Sequence, residues 1–204
     1  LMSAGLPPSR QIIIHGFITS GGQKMSKSLG NVIDPFDLVA EYGTDALRYF
    51  LARHVQPFED TDVTPDKFKE TYNANLANGL GNLVSRVMKM ASAQPMSRRR
   101  LDITNNVKGY PSDLSNLIEN FELNQAMDLI WHKIGEADLL IQQSEPFKLI
   151  KTDRETALKI ITDLCSRLYA IGQMLEPFIP QTSQTILDLV AGNQMPTQPL
   201  FPRK

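Results

Sequence analysis

Two lysines and two serines fall within five positions of "GGQKMSKSLGN" (residues 21–31), between a Gly-Gly pair and another glycine. Ammonium groups at that density can neutralise the charge of a polyphosphate, while serine hydroxyls and backbone amides donate hydrogen bonds to its oxygens. A mobile loop can save those contacts for a transition state, where they lower a barrier instead of only tightening binding. Lys24, Ser26, Lys27 and Ser28 are the candidate chemical groups of this stretch.

A second set lies at helical spacing. At about 100° per residue, Asn78, Asn82, Arg86 and Lys89 form one polar stripe beside an apolar face, and no acid interrupts it. Asparagine can donate to and accept from a base edge, and arginine can pair with phosphate or stack on a base. Single-stranded RNA loops expose those groups.

The elements that would carry these residues follow from periodicity. "RQIIIHGFIT" is β-branched and aromatic and predicts a strand entering the Gly21-Gly22 turn. "DPFDLVAEY" predicts a helix ending at Gly43, a glycine able to take a positive φ, and "TDALRYFLAR" a second helix with Thr44 or Asp45 as its N-cap. Residues 54–64, "HVQPFEDTDVT", read as the link to a second unit. Beyond Pro65, apolar residues from Phe68 to Val87 recur at spacings of three and four, as in one long amphipathic helix. Pro, Gly and Asn predict a loop over 95–111. Helices are expected over 112–121, 124–144, 153–175 and 181–191, with short loops that favour an antiparallel bundle.

The expected fold is therefore mainly α: residues 1–63 a small hairpin-bearing connecting domain, residues 64–204 a helical bundle. With 204 residues and 42% hydrophobic content, the chain can bury one sizeable core, and no apolar run reaches the roughly 18 residues needed to span a bilayer. The N-terminus lacks signal-peptide features and begins at Leu1, as expected of a piece of a larger protein. Net charge is −1, yet residues 65–100 hold seven Lys/Arg against two acids and residues 101–145 two against eight. That asymmetry suits a partner read at one face better than a polyanion gripped non-specifically. The arginines of "SRRR" (97–100) read as a solvated loop. Cys165, the single cysteine, reads as buried and Trp131 as core packing; His15 reads as structural.

"HGFITSGGQKMSKSLGNVIDPFDLVAEYGTDALRYFLAR" (15–53) resembles the KMSKS region of class I aminoacyl-tRNA synthetases, the methionyl enzymes above all. "YNANLANGLGNLVSRV" resembles the first helix of the methionyl anticodon-binding bundle. "LEPFIPQTSQTI" is similar to a Leu-x-Pro-Phe-x-Pro segment of the wider class Ia family, and "LFPRK" to its usual close. The resemblance implies that the loop assists transfer of an amino-acid carboxylate to the α-phosphate of ATP, with Mg2+ in the full enzyme. Lys24, Met25, Ser26, Lys27 and Ser28 would form the ATP-binding loop, Lys27 and Lys24 being catalytic.

It also implies anticodon contacts by Asn82 and Arg86, the matching residues of Gly-Asn-Leu-x-x-Arg, with Asn78 on the same stripe. Phe147, in "SEPFKLIK", stands where the family has a tryptophan that stacks on a base. Asp138 and Leu140 replace an Asn and a Tyr, so a secondary contact is expected to be lost. The implied partners are tRNA and an upstream catalytic domain of the same chain, in the cytoplasm, with no membrane. No metal is expected within these residues, and they are expected to be inactive alone. The leucyl, isoleucyl, valyl and cysteinyl enzymes share the loop and remain alternatives, as does a free-standing helical RNA-binding module.

Overall fold

The computed structural model of the chain describes residues 2–94 and 111–204. The "SRRR" segment, and with it nearly all of the loop expected over 95–111, lies outside the described residues. The rest is mainly α, as the periodicity predicts, with a small three-stranded sheet.

Some of the helices start where the sequence supplies a side-chain cap. In α1 (Pro35–Tyr42) the Asp34 carboxylate accepts from the Phe36 amide and Pro35 fills the first turn; in α3 (Pro65–Thr71) the Thr64 hydroxyl accepts from the Lys67 amide. The start of α2 (Thr44–His54) differs from expectation. Gly43, at φ 90°, closes α1 and precedes α2 with no side-chain cap from Thr44 or Asp45. Asp45 is buried instead, and its Oδ2 accepts from the Thr182 amide at 2.6 Å, in the first turn of α9 (Pro180–Gly192). The carboxylate caps a helix distant in sequence because α9 otherwise brings an unpaired donor into the core.

The helix expected from Pro65 does run to Ser92, but its middle, Tyr72–Gly81, is π-helical before α4 (Asn82–Ser92) begins. The C-terminal segment straps this wide stretch. Tyr72 Oη donates to the Pro202 carbonyl, Asn73 bonds both the amide and the carbonyl of Lys204, and Phe201 is buried edge-on to Tyr72.

The remaining helices are α5 (Ser112–Glu119), α6 (Leu123–Ser144), a short α7 (Pro146–Leu149) absent from the sequence expectation, and α8 (Arg154–Leu175), capped by Asp153. Glu145, in a left-handed conformation at φ 39°, ends α6 and turns the chain into α7. Leu76, Leu80, Val84 and Met88 meet Ile130 and Ile141 of α6 and Leu164 and Leu168 of α8 in one apolar cluster. Each such buried side chain contributes about 1.5–3 kcal/mol relative to exposure. Tyr49 and Phe50 of α2 belong to the same cluster. Arg48 donates to the Pro177 and Phe178 carbonyls, and Asn124 to those of Ala52, Arg53 and Val55. These bonds fix α2 against the bundle.

Candidate functional site

The expected strand over 10–19 is shorter than its composition suggests: β1 covers only Ile18–Ser20, paired antiparallel with β2 (Gln23–Lys24). Gly21 and Gly22 both take positive φ, as a two-residue hairpin turn requires. The shortening has a cause. Among the described residues β1's second neighbour is the parallel strand β3 (Thr61–Asp62), from the segment read as a linker, and its two residues end the ladder.

That segment is a brace. The Thr61 amide donates to the Phe17 carbonyl and the Val63 amide to that of Thr19, both at 2.9 Å. The Asp60 carboxylate accepts from the Phe17 amide, and Asp62 Oδ1 accepts from the Gly22 amide and the Thr19 hydroxyl. Gly16 is required here: a Cβ would stand 2.1 Å from the Glu59 carbonyl oxygen. At the head of the brace, His54 shares a 3.0 Å hydrogen bond with Tyr49 Oη, and burial, helped by the Arg53 and Lys67 charges, lowers its pKa to about 4. His54 is neutral at pH 7.

Beyond β2 the loop is tied by Asn31. Its Oδ1 accepts from the Ser26 amide at 2.9 Å, and its Nδ2 donates to the Ser20 and Lys24 carbonyls. The Ser26 amide is thus already committed. Ser26 and Ser28 hydroxyls share a 2.7 Å hydrogen bond, and Met25 and Ser26 are half-buried. Lys24 and Lys27 are exposed and enter no ion pair among the described residues. Lys24 Nζ lies 4.6 Å from the Phe17 ring centroid. Such a loop can offer two uncompensated cations and two hydroxyls to an anion. His15 is exposed, with Nδ1 2.9 Å from the Gly16 carbonyl oxygen.

The second set divides. A spacing of 100° per residue makes Asn78, Asn82, Arg86 and Lys89 one stripe, but the π segment places Asn78 on a wider turn, and the four residues line two cavities. Asn78 and Asn82 border one of about 410 Å³, closed by Phe201, Pro202 and Arg203 of the strap. Arg203 donates twice to Asn78 Oδ1, at 2.9 and 2.6 Å. Arg86 and Lys89 border the other, also about 410 Å³, with Met90, Pro146, Phe147 and Ile161. Helix α7 carries Phe147 to its edge, 48% exposed, with Lys148 Nζ 5.9 Å from the ring centroid. An exposed aromatic face, an arginine and an apolar floor can hold a flat ring by stacking and hydrogen bonds.

No acid lies on the stripe itself, but α6 supplies one: Asp138 Oδ1 accepts from Arg86 Nη1 at 2.6 Å, each side chain being 33% exposed. Sequence reading treated Asp138 only as a lost contact, because nothing local couples positions 86 and 138. It also missed Asn31, Asp62 and Arg203; Asn31, next to Gly30 in the loop stretch, was the most findable. Trp131 packs as expected, 4.6 Å from the Tyr49 ring and under the Arg53 guanidinium. Cys165 is buried, and burial pushes its thiol up to about 12, which makes it unreactive. No group of three or more metal-ligating side chains occurs among the described residues, and none of their helices is long and apolar enough to cross a membrane.

Residues 1–88 match the sequence profile described as tRNA synthetases class I (M). Methionine–tRNA ligase of Brucella suis biovar 1 is 34% identical over 231 residues, covering all of this chain and 45% of that protein. That of Thermosynechococcus vestitus is 36% identical over 202 residues, covering 91% of this chain and 37% of that protein. The structure of Mycobacterium tuberculosis methionyl-tRNA synthetase in complex with methionyl-adenylate matches with a TM-score of 0.75 at 28% identity, covering 99% of this chain and 46% of that one. The chain thus spans under half the length of these relatives. Over its whole length the chain is similar in sequence and in fold to part of a methionyl-tRNA synthetase.

Proposed function

We propose that this chain supplies the C-terminal part of a methionine–tRNA ligase, which activates methionine with ATP and transfers it to tRNA. Residues 1–63 form the connecting domain that presents the KMSKS loop, and residues 64–204 the anticodon-binding bundle. The observation that carries this reading is the meeting of Arg86 and Phe147, from α4 and α7, at one apolar groove.

In the adenylation step the methionine carboxylate attacks the α-phosphate and pyrophosphate leaves. Lys27 and Lys24 stabilise the charge that builds on the leaving group, and the Ser26 and Ser28 hydroxyls donate to its oxygens. Magnesium accompanying ATP shares that charge; the chain's own contribution is the ammonium groups. Because neither lysine is paired, no ion pair has to break when the triphosphate arrives. Asn31, Asp60 and Asp62 hold the hairpin from which the loop acts.

In the bundle, Phe147 stacks on an anticodon base and Arg86 and Asn82 contact base edges or phosphate, with Asn78 beside them. Exposed apolar side chains gather on the N-terminal segment, among them Ile12 and Ile14 at 81% and Phe36 at 78%. A face of that kind fits burial against an upstream catalytic domain of the same chain. Without that domain's amino-acid pocket, residues 1–204 catalyse no adenylation.

The test is ATP–pyrophosphate exchange by the full-length protein with methionine, leucine, isoleucine, valine and cysteine in turn. Exchange driven by methionine alone supports the reading. Exchange driven by another of these, or by none, overturns it.

A further inference from the structure

The geometry points to Asp138 as a positioning residue that holds the Arg86 guanidinium at the rim of the groove beside Phe147, so that the groove discriminates between bases. This rests on the anticodon reading proposed above and goes beyond it.

Three observations carry the inference. The pair joins two helices, Arg86 on α4 and Asp138 on α6, through a 2.6 Å contact in which both side chains are only 33% exposed. That is shorter and drier than an ordinary surface pair, whose partners wander. Arg86 lines the groove while Asp138 does not, so the carboxylate grips the guanidinium from outside and leaves the cavity open. The contact engages Nη1, and no other hydrogen bond or ion pair to Arg86 occurs among the described residues. Guanidinium has five N–H donors, and most are left for a ligand.

The physical consequence has two parts. A pinned arginine has already given up rotamer freedom that a free one would lose on binding. Its charge is also largely compensated, which weakens long-range attraction to any phosphate and leaves the directional contacts of the planar group. Both effects favour recognition of a particular base over general attachment to RNA.

If Asp138 merely competed with RNA for Arg86, removing it would free a cation and strengthen binding. A positioning role gives the opposite sign. The experiment measures Kd of the full-length protein for a methionine tRNA stem-loop with anticodon CAU and for the same stem-loop with its first anticodon base changed. The proteins are wild type, Asp138→Ala, Asp138→Asn and Arg86→Ala. The inference predicts that Asp138→Ala weakens CAU binding by about 10-fold, through restored side-chain freedom, and narrows the ratio between the two stem-loops. Asp138→Asn, which keeps a carbonyl acceptor, loses less on both counts.

Unchanged or tighter CAU binding by Asp138→Ala, with the ratio intact and Arg86→Ala still costly, overturns the positioning role and spares the anticodon reading. Unchanged binding by Arg86→Ala overturns both. Melting temperatures identify loss of fold; if Asp138→Ala does not fold, Asp138→Asn decides by the same two measurements, and full wild-type affinity and ratio in it overturn the inference.

Discussion

The hairpin loop and the bundle groove both present cations, but they hold them in opposite ways. Lys24 and Lys27 stand exposed and unpaired on a loop tied only through its backbone, by Asn31 and Asp62. In the bundle, Arg86 is paired with Asp138, Asn78 is held by Arg203, and Lys148 meets Glu145 at 2.6 Å. The difference fits two kinds of work. A group that acts on transient charge loses nothing by being free beforehand and gains by arriving only as that charge develops. A group that selects among similar bases gains from being fixed before the partner comes.

The contrast is sharpest at Lys27. Lys27→Ala in the full-length protein should slow methionyl-adenylate formation by about 100-fold or more, the usual loss for one donor acting on charge that develops in the transition state. Methionine affinity should hardly change, which equilibrium binding of the amino acid would check. On the other side, Phe147→Ala should cost about 1–3 kcal/mol of tRNA affinity, the range for one aromatic–base stack. Phe147→Trp should bind as well or better. If Phe147→Ala instead lowers the melting temperature while binding per folded molecule is unchanged, Phe147 is a packing residue.

A smaller effect isolates the brace from the loop. Gly16→Ala forces a Cβ against the Glu59 carbonyl, and overpacking of this kind costs on the order of 1 kcal/mol or more. Hydrogen exchange at the Thr61 and Val63 amides should accelerate and adenylation slow, with tRNA affinity intact. A pH dependence probes the same region. His54 has a folded-state pKa of about 4 against an ordinary 6.5, so its share of stability is complete above about pH 6.5 and is lost as pH falls toward 4. Melting temperature should decline over that window in wild type, and the decline should be shallower in His54→Gln.

How much of this was legible depends on the range of the interactions. The helices were, because apolar spacing acts within a few residues. The candidate loop was legible from Lys24 to Ser28 because its chemistry is contiguous. The role of residues 54–64 was not: Asp60, Asp62 and proline spell a linker locally, and only pairing with a strand some forty positions earlier makes them a brace. Asp45 misled for the same reason, since a helix-start aspartate reads as its own helix's cap until α9 is seen above it. The even stripe from Asn78 to Lys89 assumed an α-helical turn throughout, which the π segment breaks.

The claim that two regions divide two tasks is tested most directly by crossing them. Lys27→Ala and Arg86→Ala, each in the full-length protein, would be measured for both ATP–pyrophosphate exchange and tRNA dissociation constant. The account predicts that Lys27→Ala loses exchange by about two orders of magnitude at unchanged tRNA affinity, and that Arg86→Ala weakens tRNA binding at unchanged exchange. Loss of the same quantity in both variants, or normal exchange in Lys27→Ala, would contradict it.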